Sequence, residues 1–491
     1  MSSSIPYTPS PSFTTTIIQP QPSSQGKVVR LSAIDQIAPR DYISSCMFFS
    51  LSPATDKRQI FHLFERALVN TISDIPELAC CVRQPSDNAR EEVELFFDSG
   101  QGARINYRDY TSPELRRFWR FGTFQQLERE HFPLNIPRQI VFGTSAKLAQ
   151  GVSIPALVVQ CNFIPGGLIL GTCLHHVAGD GMCNLILHKT MGMHLAAVTK
   201  GLDIHSCPIT PLDRSSVVEG EQGVTLEEFP DWKLTEDSSS FLNPTDYEPS
   251  EVQSVEHAIF SISENKLASI KEHVLNGTTN TKLSTNEAVC AFLWRHVVLA
   301  RQINPHEYSE AKLSITVDSR ERMENPPLPS NYWGNFAEPN AVARASVSRL
   351  QHPATGEAKD NIYVDLASSI KRAIAAVNDK AVRRLVGLLN QMPKSTSLTW
   401  NVDRYPGPDM LIVCLQAHRY NDIFFGRDLG YPSAIRITVG DTEGKPDGRC
   451  IILPPRHAED QGLELLLQYD SSTLERLESN EEFGKFFVRR N

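Results

Sequence analysis

His175-His176-Val177-Ala178-Gly179-Asp180-Gly181 closes a run of apolar residues and opens a helical pattern, and its reading decides the fold of the chain. Upstream, Pro155 to Ile164 has the composition of a strand, Pro165-Gly166-Gly167 is turn chemistry, and Leu168 to Leu174 reads as the return strand of a hairpin. Downstream, Met182, Leu185, Ile186, Leu187 and Met191 follow helical spacing. The two histidines therefore stand where a strand gives way to a helix. Neighbours on a strand point to opposite faces, so His175 and His176 cannot both enter one pocket. One is a candidate base for proton transfer near neutral pH, and the other is a supporting residue.

Plainer readings compete with this one. A histidine at a strand end is commonly a satisfied structural residue, and H-x-x-x-D alone recurs by chance. Two adjacent histidines on opposite faces with one aspartate make a poor ligand set, so no metal is expected. Cys173, close by, reads as a small apolar strand residue rather than a nucleophile.

Bulk properties narrow the class. A chain of 491 residues exceeds one ordinary core, so two domains are expected. A net charge of -9 argues against a nucleic-acid binder, which must neutralise phosphates. No apolar run is long enough to span a bilayer, so no membrane association is expected. The first 26 residues, rich in Ser, Thr and Pro, read as a flexible tail without the apolar core of a secretory signal. Ten cysteines without a C-x-x-C or a regular framework point to reduced thiols and a cytoplasmic protein.

Residues 27–206 read as one domain carrying the histidines, 207–250 as a Pro-, Ser- and acid-rich linker, and 251–491 as a second domain. A segment near 380–405 is a candidate crossover to the first domain's sheet. Short strands are expected near Ser44 to Leu51, Leu78 to Val82, Glu92 to Phe97 and Gln139 to Phe142, with a helix carrying Ile60, Leu63, Phe64, Leu68 and Ile72. In the second half, Val252 to Ile262 reads as a strand and Glu264 to Leu275 as a helix. Ser284 and Glu287 form a capping-box pattern ahead of another helix.

Taken with its flanking glycines, the H-H-x-x-x-D-G stretch resembles the signature of BAHD acyltransferases and related CoA-dependent transferases. Four further stretches agree in order. Leu31-Ser32-x-x-Asp35-Gln36 is similar to the opening of fungal members. Ser284-Thr285-Asn286-Glu287 through Trp294-Arg295 resembles a second-domain helix. Val317-Asp318-Ser319-Arg320-Glu321-Arg322, with Pro326 to Pro329 and Tyr332-Trp333-Gly334-Asn335, is close to the family's V-D-x-R-x-R block. Phe425-Gly426-Arg427-Asp428-Leu429-Gly430 with Pro432 and Arg436 resembles its D-F-G-x-G loop, although Phe424 stands at the Asp position and the nearest acid is Asp422. Thr399-Trp400 is similar to a further Ser/Thr-Trp element. The resemblance is to the fungal trichothecene 3-O-acetyltransferase type.

That resemblance implies a fold of two mixed-sheet α/β domains of similar topology, chloramphenicol-acetyltransferase-like, with an active-site tunnel between them. It implies His176 as the general base. By the same resemblance Asp180 turns away and pairs with Arg320, and Gly181, like Gly179, lets the backbone turn. Thr399 and Trp400 are its candidate oxyanion donors, and Tyr332 and Asn335 are its candidate tunnel residues, with core packing an equally good reading of Tyr332. The reaction it implies is O-acyl transfer, through a tetrahedral intermediate, from acyl-CoA, expected to be acetyl-CoA, to a hydroxyl of a small-molecule secondary metabolite. The enzyme is expected to be a monomer with no permanently bound cofactor. An N-acyltransferase, a condensation-type enzyme using a carrier-bound thioester and an inactive binding protein on this fold are the alternatives.

Overall fold

The computed structural model describes residues 12–85, 89–134, 136–144, 152–202, 213–235, 255–276, 282–329, 331–337, 341–352, 361–395, 397–439, 448–456 and 462–491. The hairpin forms as Leu157–Ile164 and Gly167–His175 in antiparallel register, turning at Pro165-Gly166, where Gly166 takes a φ of 80° that favours glycine. It lies inside a six-stranded sheet in the order Phe13–Ile18, Ala103–Asp109, Leu157–Ile164, Gly167–His175, Tyr42–Ser50, Ala434–Val439. Every residue of both hairpin strands is buried, which is why they read as continuous apolar runs rather than alternating ones.

The second sheet has seven strands, ordered Ala341–Ser346, Glu310–Ile315, Met410–Cys414, Arg449–Leu453, Leu463–Asp470, Val255–Ile262 and Val488–Arg489. Its middle strands Glu310–Ile315, Met410–Cys414 and Arg449–Leu453 run parallel. Because side chains alternate along a strand, one face carries Leu313, Ile315, Met410, Ile412, Cys450 and Ile452 into a core built on helices Thr285–Ala300 and Ile362–Ala376. The opposite face carries Leu415, Ile451 and Leu453 against the first sheet's core. A sheet covered on both faces sets the two domains against each other, and a cavity lies in that seam.

Several expectations are corrected. The expected tail of residues 1–26 holds a strand, Phe13–Ile18, antiparallel to Ala103–Asp109; its β-branched run suits an edge position better than its Ser/Thr/Pro-rich surroundings suggest. Residues 1–11 lie outside the described residues. The linker is ordered over 213–235, where Arg214 is fully buried and Trp232–Leu234 pairs with Leu398–Trp400; residues 207–212 and 236–250 lie outside the described residues. The strand that crosses to the first sheet is Ala434–Val439, paired with Tyr42–Ser50, and not a segment of 380–405. Within 380–405, helix Asp379–Gln391 packs its Val382, Leu385 and Val386 against Ile34 and Ile37 of the first domain. Gln139 to Phe142 belongs to a helical turn, Arg138–Val141, begun after Pro137, whose fixed φ suits a helix entry.

Candidate active site

His176 ends the hairpin strand. Its backbone N–H donates to the Asp41 carbonyl, which fixes the direction in which the ring leaves the sheet. Further along, Asp180 caps helix Gly181–Val198 by accepting from the Met182 and Cys183 amides at 3.1 and 3.2 Å. The same carboxylate accepts from Arg320 Nη2 at 2.9 Å and from the Phe336 amide at 2.8 Å. Its acceptor sites are thus taken up away from His176. Burial alone would raise the Asp180 pKa, but Arg320 and the Phe336 and Cys183 amides outweigh it and hold the carboxyl below its ordinary value.

Arg320 is a buried clamp. Besides Asp180 it donates to Asp318 at 2.9 Å, to the Tyr332 carbonyl at 3.2 Å and to the Gly334 carbonyl at 2.5 Å. The loop from Tyr332 to Phe336 is thereby tied to the start of the helix. That loop delivers Asn335 to His176: His176 Nδ1 lies 3.1 Å from Asn335 Oδ1. The Asn335 amide nitrogen donates to Asp35 Oδ1 and to the His176 carbonyl, both at 2.9 Å. With the nitrogen so committed, the oxygen faces the ring. An amide oxygen can only accept, so Nδ1 is the nitrogen that donates here, and in the neutral ring it is Nε2 that carries the lone pair.

His176 borders a cavity of about 290 Å³ in the seam between the domains. The first domain contributes Ile37, Ile43, Met182, Asn184 and Ile437. The second contributes alternate residues of its parallel strands, Ser314 and Thr316, Leu411 and Val413, and Arg449. Asn335, Thr399, Trp400, Asp180 and Gly181 also line it. Trp400 is held by the Trp232 ring, with centroids 4.1 Å apart.

Other expected residues have different surroundings or roles. Tyr332 does not line this cavity; it is buried against Ile34, Val382 and Phe336, because its aromatic body packs where the proline-stiffened loop turns inward. Gly181 makes no special turn: a Cβ there would meet only His418 Cε1, at 3.9 Å, so its bareness leaves cavity space. Gly179 is the sterically constrained glycine, since a Cβ would come within 2.5 Å of Cys183 Cβ. Phe424 is 41% exposed and lies tilted against Tyr431, with ring centroids 5.3 Å apart, while Asp422 pairs with Arg419. The Cys173 thiol is buried beside Ser44 and pushed up to about 11 by burial, which does not suit a nucleophile. Among the described residues, no cluster of three His, Cys, Asp or Glu could hold a metal ion, and no helix is long and apolar enough to cross a membrane.

Sequence reasoning missed three groups at this site: Asp35, which holds Asn335; His418, whose imidazole borders the cavity; and Tyr420, whose hydroxyl accepts from Asn184 and donates to the Gly181 carbonyl. Asp35 carried a signal, because the Ser32/Asp35 capping pair is visible in the sequence. His418 and Tyr420 lie in an irregular segment with no periodicity.

His175 points into the first domain, edge-on to Tyr42, with ring centroids 5.2 Å apart. Burial, then Arg40 and His176, push it down to about 3. His188, donating to the Asn184 carbonyl and contacting Thr172, is pushed down to about 4 by burial. Both rings stay neutral in the fold at a pH where the unfolded chain binds protons. Their contribution is therefore complete above 6.5 and is lost as pH falls from there towards those folded values, at about 1.4 kcal/mol per pH unit for each ring. Urea midpoints are expected to drop steadily through that window, and His188→Phe should flatten the slope. A midpoint indifferent to pH there would mean that the rings are not held neutral.

Residues 136–484 match the family described as the Transferase family, and residues 42–189 match the trichothecene 3-O-acetyltransferase-like N-terminal domain. Acyltransferase easC of Emericella nidulans is 27% identical over 94% of this chain and 95% of its own length. Eremophilane O-acetyltransferase ORF8 of Penicillium roqueforti is 25% identical over 94% and 98%. Anthranilate N-benzoyltransferase protein 3 of Dianthus caryophyllus is 24% identical over 90% and 93%. Among solved structures, F. graminearum TRI101 complexed with coenzyme A and T-2 mycotoxin superposes with a TM-score of 0.74 at 17% identity, over 95% of this chain and 100% of that one. Vinorine synthase superposes at 0.60 and 15% identity, over 96% and 97%. These structures share the expected two-domain α/β fold.

Proposed function

Since the chain belongs to the Transferase family and is an acyltransferase, we propose that it carries an acyl group from acyl-CoA to a hydroxyl of a small secondary metabolite, with His176 as general base. The observation that supports this most is the pairing of His176 Nδ1 with Asn335, which leaves Nε2 as a proton acceptor at an interdomain cavity. An alcohol is a poor nucleophile while protonated. Nε2 removes the hydroxyl proton as the oxygen adds to the thioester carbonyl, and the carbonyl electron pair moves onto oxygen. When the tetrahedral intermediate collapses, the C–S bond breaks and the same proton passes from Nε2 to the departing thiolate. Thr399 and the Trp400 indole are the candidate donors to the oxyanion. Apolar walls from Leu411, Val413 and Ile437 exclude water that would compete with the alcohol.

Acetyl-CoA is the proposed donor, by analogy with the O-acetyltransferase among the relatives and with TRI101, whose structure holds coenzyme A. The proposed enzyme acts as a cytoplasmic monomer and binds no permanent cofactor. The test incubates the protein with a panel of acyl-CoAs and measures free thiol with and without a panel of alcohols and amines. Thiol release that requires an alcohol is expected, fastest with acetyl-CoA. Release that requires an amine would overturn the O-acyl assignment. Turnover with a carrier-bound thioester alone would overturn the use of acyl-CoA.

A further inference from the structure

Asp35 is the third residue of a four-residue helix, Ala33–Gln36, and its carboxylate does more than complete the capping box with Ser32. Oδ2 accepts from the Ser32 amide at 3.0 Å and the Ser32 hydroxyl at 2.9 Å. Oδ1 accepts from the Asn335 backbone amide at 2.8 Å and from Asn335 Nδ2 at 2.9 Å. Arg214 reaches the same oxygen at 3.3 Å, but it also donates to Glu77 at 2.5 Å, so this cation is shared between two carboxylates. Asp35 and Arg214 are fully buried and Glu77 is 1% exposed, where charges act at low dielectric. Burial works against the Arg214 charge, yet Glu77 and Asp35 hold its pKa above the ordinary value.

A turn cap needs none of the Asn335 contacts. Three hundred residues separate Asp35 from Asn335, and two of the donors on Asp35 come from that residue. The amide they orient is the one whose oxygen meets His176 Nδ1. We propose that Asp35 is a positioning residue for acyl transfer: through the Asn335 amide it fixes the His176 ring in its Nδ1–H form and stabilises the imidazolium that forms when Nε2 takes the acceptor's proton. This rests on His176 being the general base. The carboxylate takes the place that Asp180 cannot, because Asp180 is spent on Arg320 and the helix start.

Other charges surround the ring. Asp180, Arg320 and Asp318 form a chain of ion pairs on the helix side. Asp41, Arg40 and His175 lie behind the strand end, and His418 borders the same cavity. Asn335 Oδ1 meets the His176 ring rather than any of these groups, so a change at Asp35 reaches the ring through the Asn335 amide.

The experiment measures kcat/KM against pH by thiol release from acetyl-CoA, with the fastest-reacting alcohol of the panel as acceptor. It compares the wild type with Asp35→Asn, with the exchange Asp35→Asn/Asn335→Asp, and with Asn335→Ser. Asp35→Asn is expected to lower kcat about tenfold or more and to move the acidic limb about one pH unit lower. KM for acetyl-CoA should hold within about twofold, since this network does not depend on the donor. The exchange places the carboxylate beside the ring and should move the limb above that of the wild type. Asn335→Ser, which removes the acceptor, should move it below, and it carries the test should the two Asp35 variants fail to fold. Limbs that stay put in every folded variant, or a KM change at constant kcat, would reduce Asp35 to a structural cap. Failure of the general-base reading shows separately, as full activity in His176→Ala.

Discussion

His176→Ala is expected to lower kcat for acyl transfer by about a hundred- to ten-thousand-fold, the range that a positioned proton carrier contributes. The fold should survive. The ring is half-buried at the rim of a cavity, so its loss removes one hydrogen bond, to Asn335, at a cost of about 1 kcal/mol. Affinity for coenzyme A, measured by calorimetry, should change little, because base catalysis acts on the transition state rather than on donor binding. The neighbour supplies the control. His175 is fully buried against Tyr42, so His175→Ala should open a void and cost stability while the folded fraction keeps its turnover. Two adjacent histidines on opposite strand faces thus separate chemistry from packing. Activity in His176→Ala within a few-fold of wild type would remove His176 from the mechanism.

The opposition of the two rings is legible in the sequence because strand alternation is geometric: given the hairpin, only one ring can face outward. The same period explains the walls of the cavity, where Leu411 and Val413 face it while Met410 and Ile412 enter the second core. Features set by distant partners are not legible in this way. Phe13–Ile18 is a strand because Ala103–Asp109 offers it an edge, and nothing local in a Thr-rich run announces that edge. Tyr332 is a tunnel candidate only by the family resemblance, and the burial of its ring is decided by helix Asp379–Gln391 packing nearby. Asp35 declares its cap through Ser32 and conceals its second use, which needs Asn335 brought in from the far domain. The departure at Phe424 is local in its effect: without an acid there, the loop still closes through the Phe425 amide on the Gly430 carbonyl and Phe425 packed on Phe49.

Arg320→Met is expected to cost about 3–5 kcal/mol, the penalty for leaving a buried carboxylate without its cation. Arg320 and Asp180 are 3% and 1% exposed, so water cannot replace either partner. In domains of this size each kcal/mol corresponds to roughly 2–4 °C in Tm, which makes the shift easy to measure by thermal unfolding. Asp180→Asn keeps the helix cap, since asparagine caps as well as aspartate, and isolates the loss of charge. The double variant should cost less than the sum of the single ones, with a coupling of about 0.5–3 kcal/mol, because neither charge is then left alone. Turnover should fall as well, for a mechanical reason: Arg320 binds the Gly334 carbonyl, and the next residue is the Asn335 that holds the His176 ring. Stability and kcat are therefore expected to decline together across this set. A large loss of kcat in Asp180→Asn at undiminished stability would instead place the Asp180 carboxylate in the chemical step, and the assignment of imidazolium stabilisation to Asp35 would have to be shared with it.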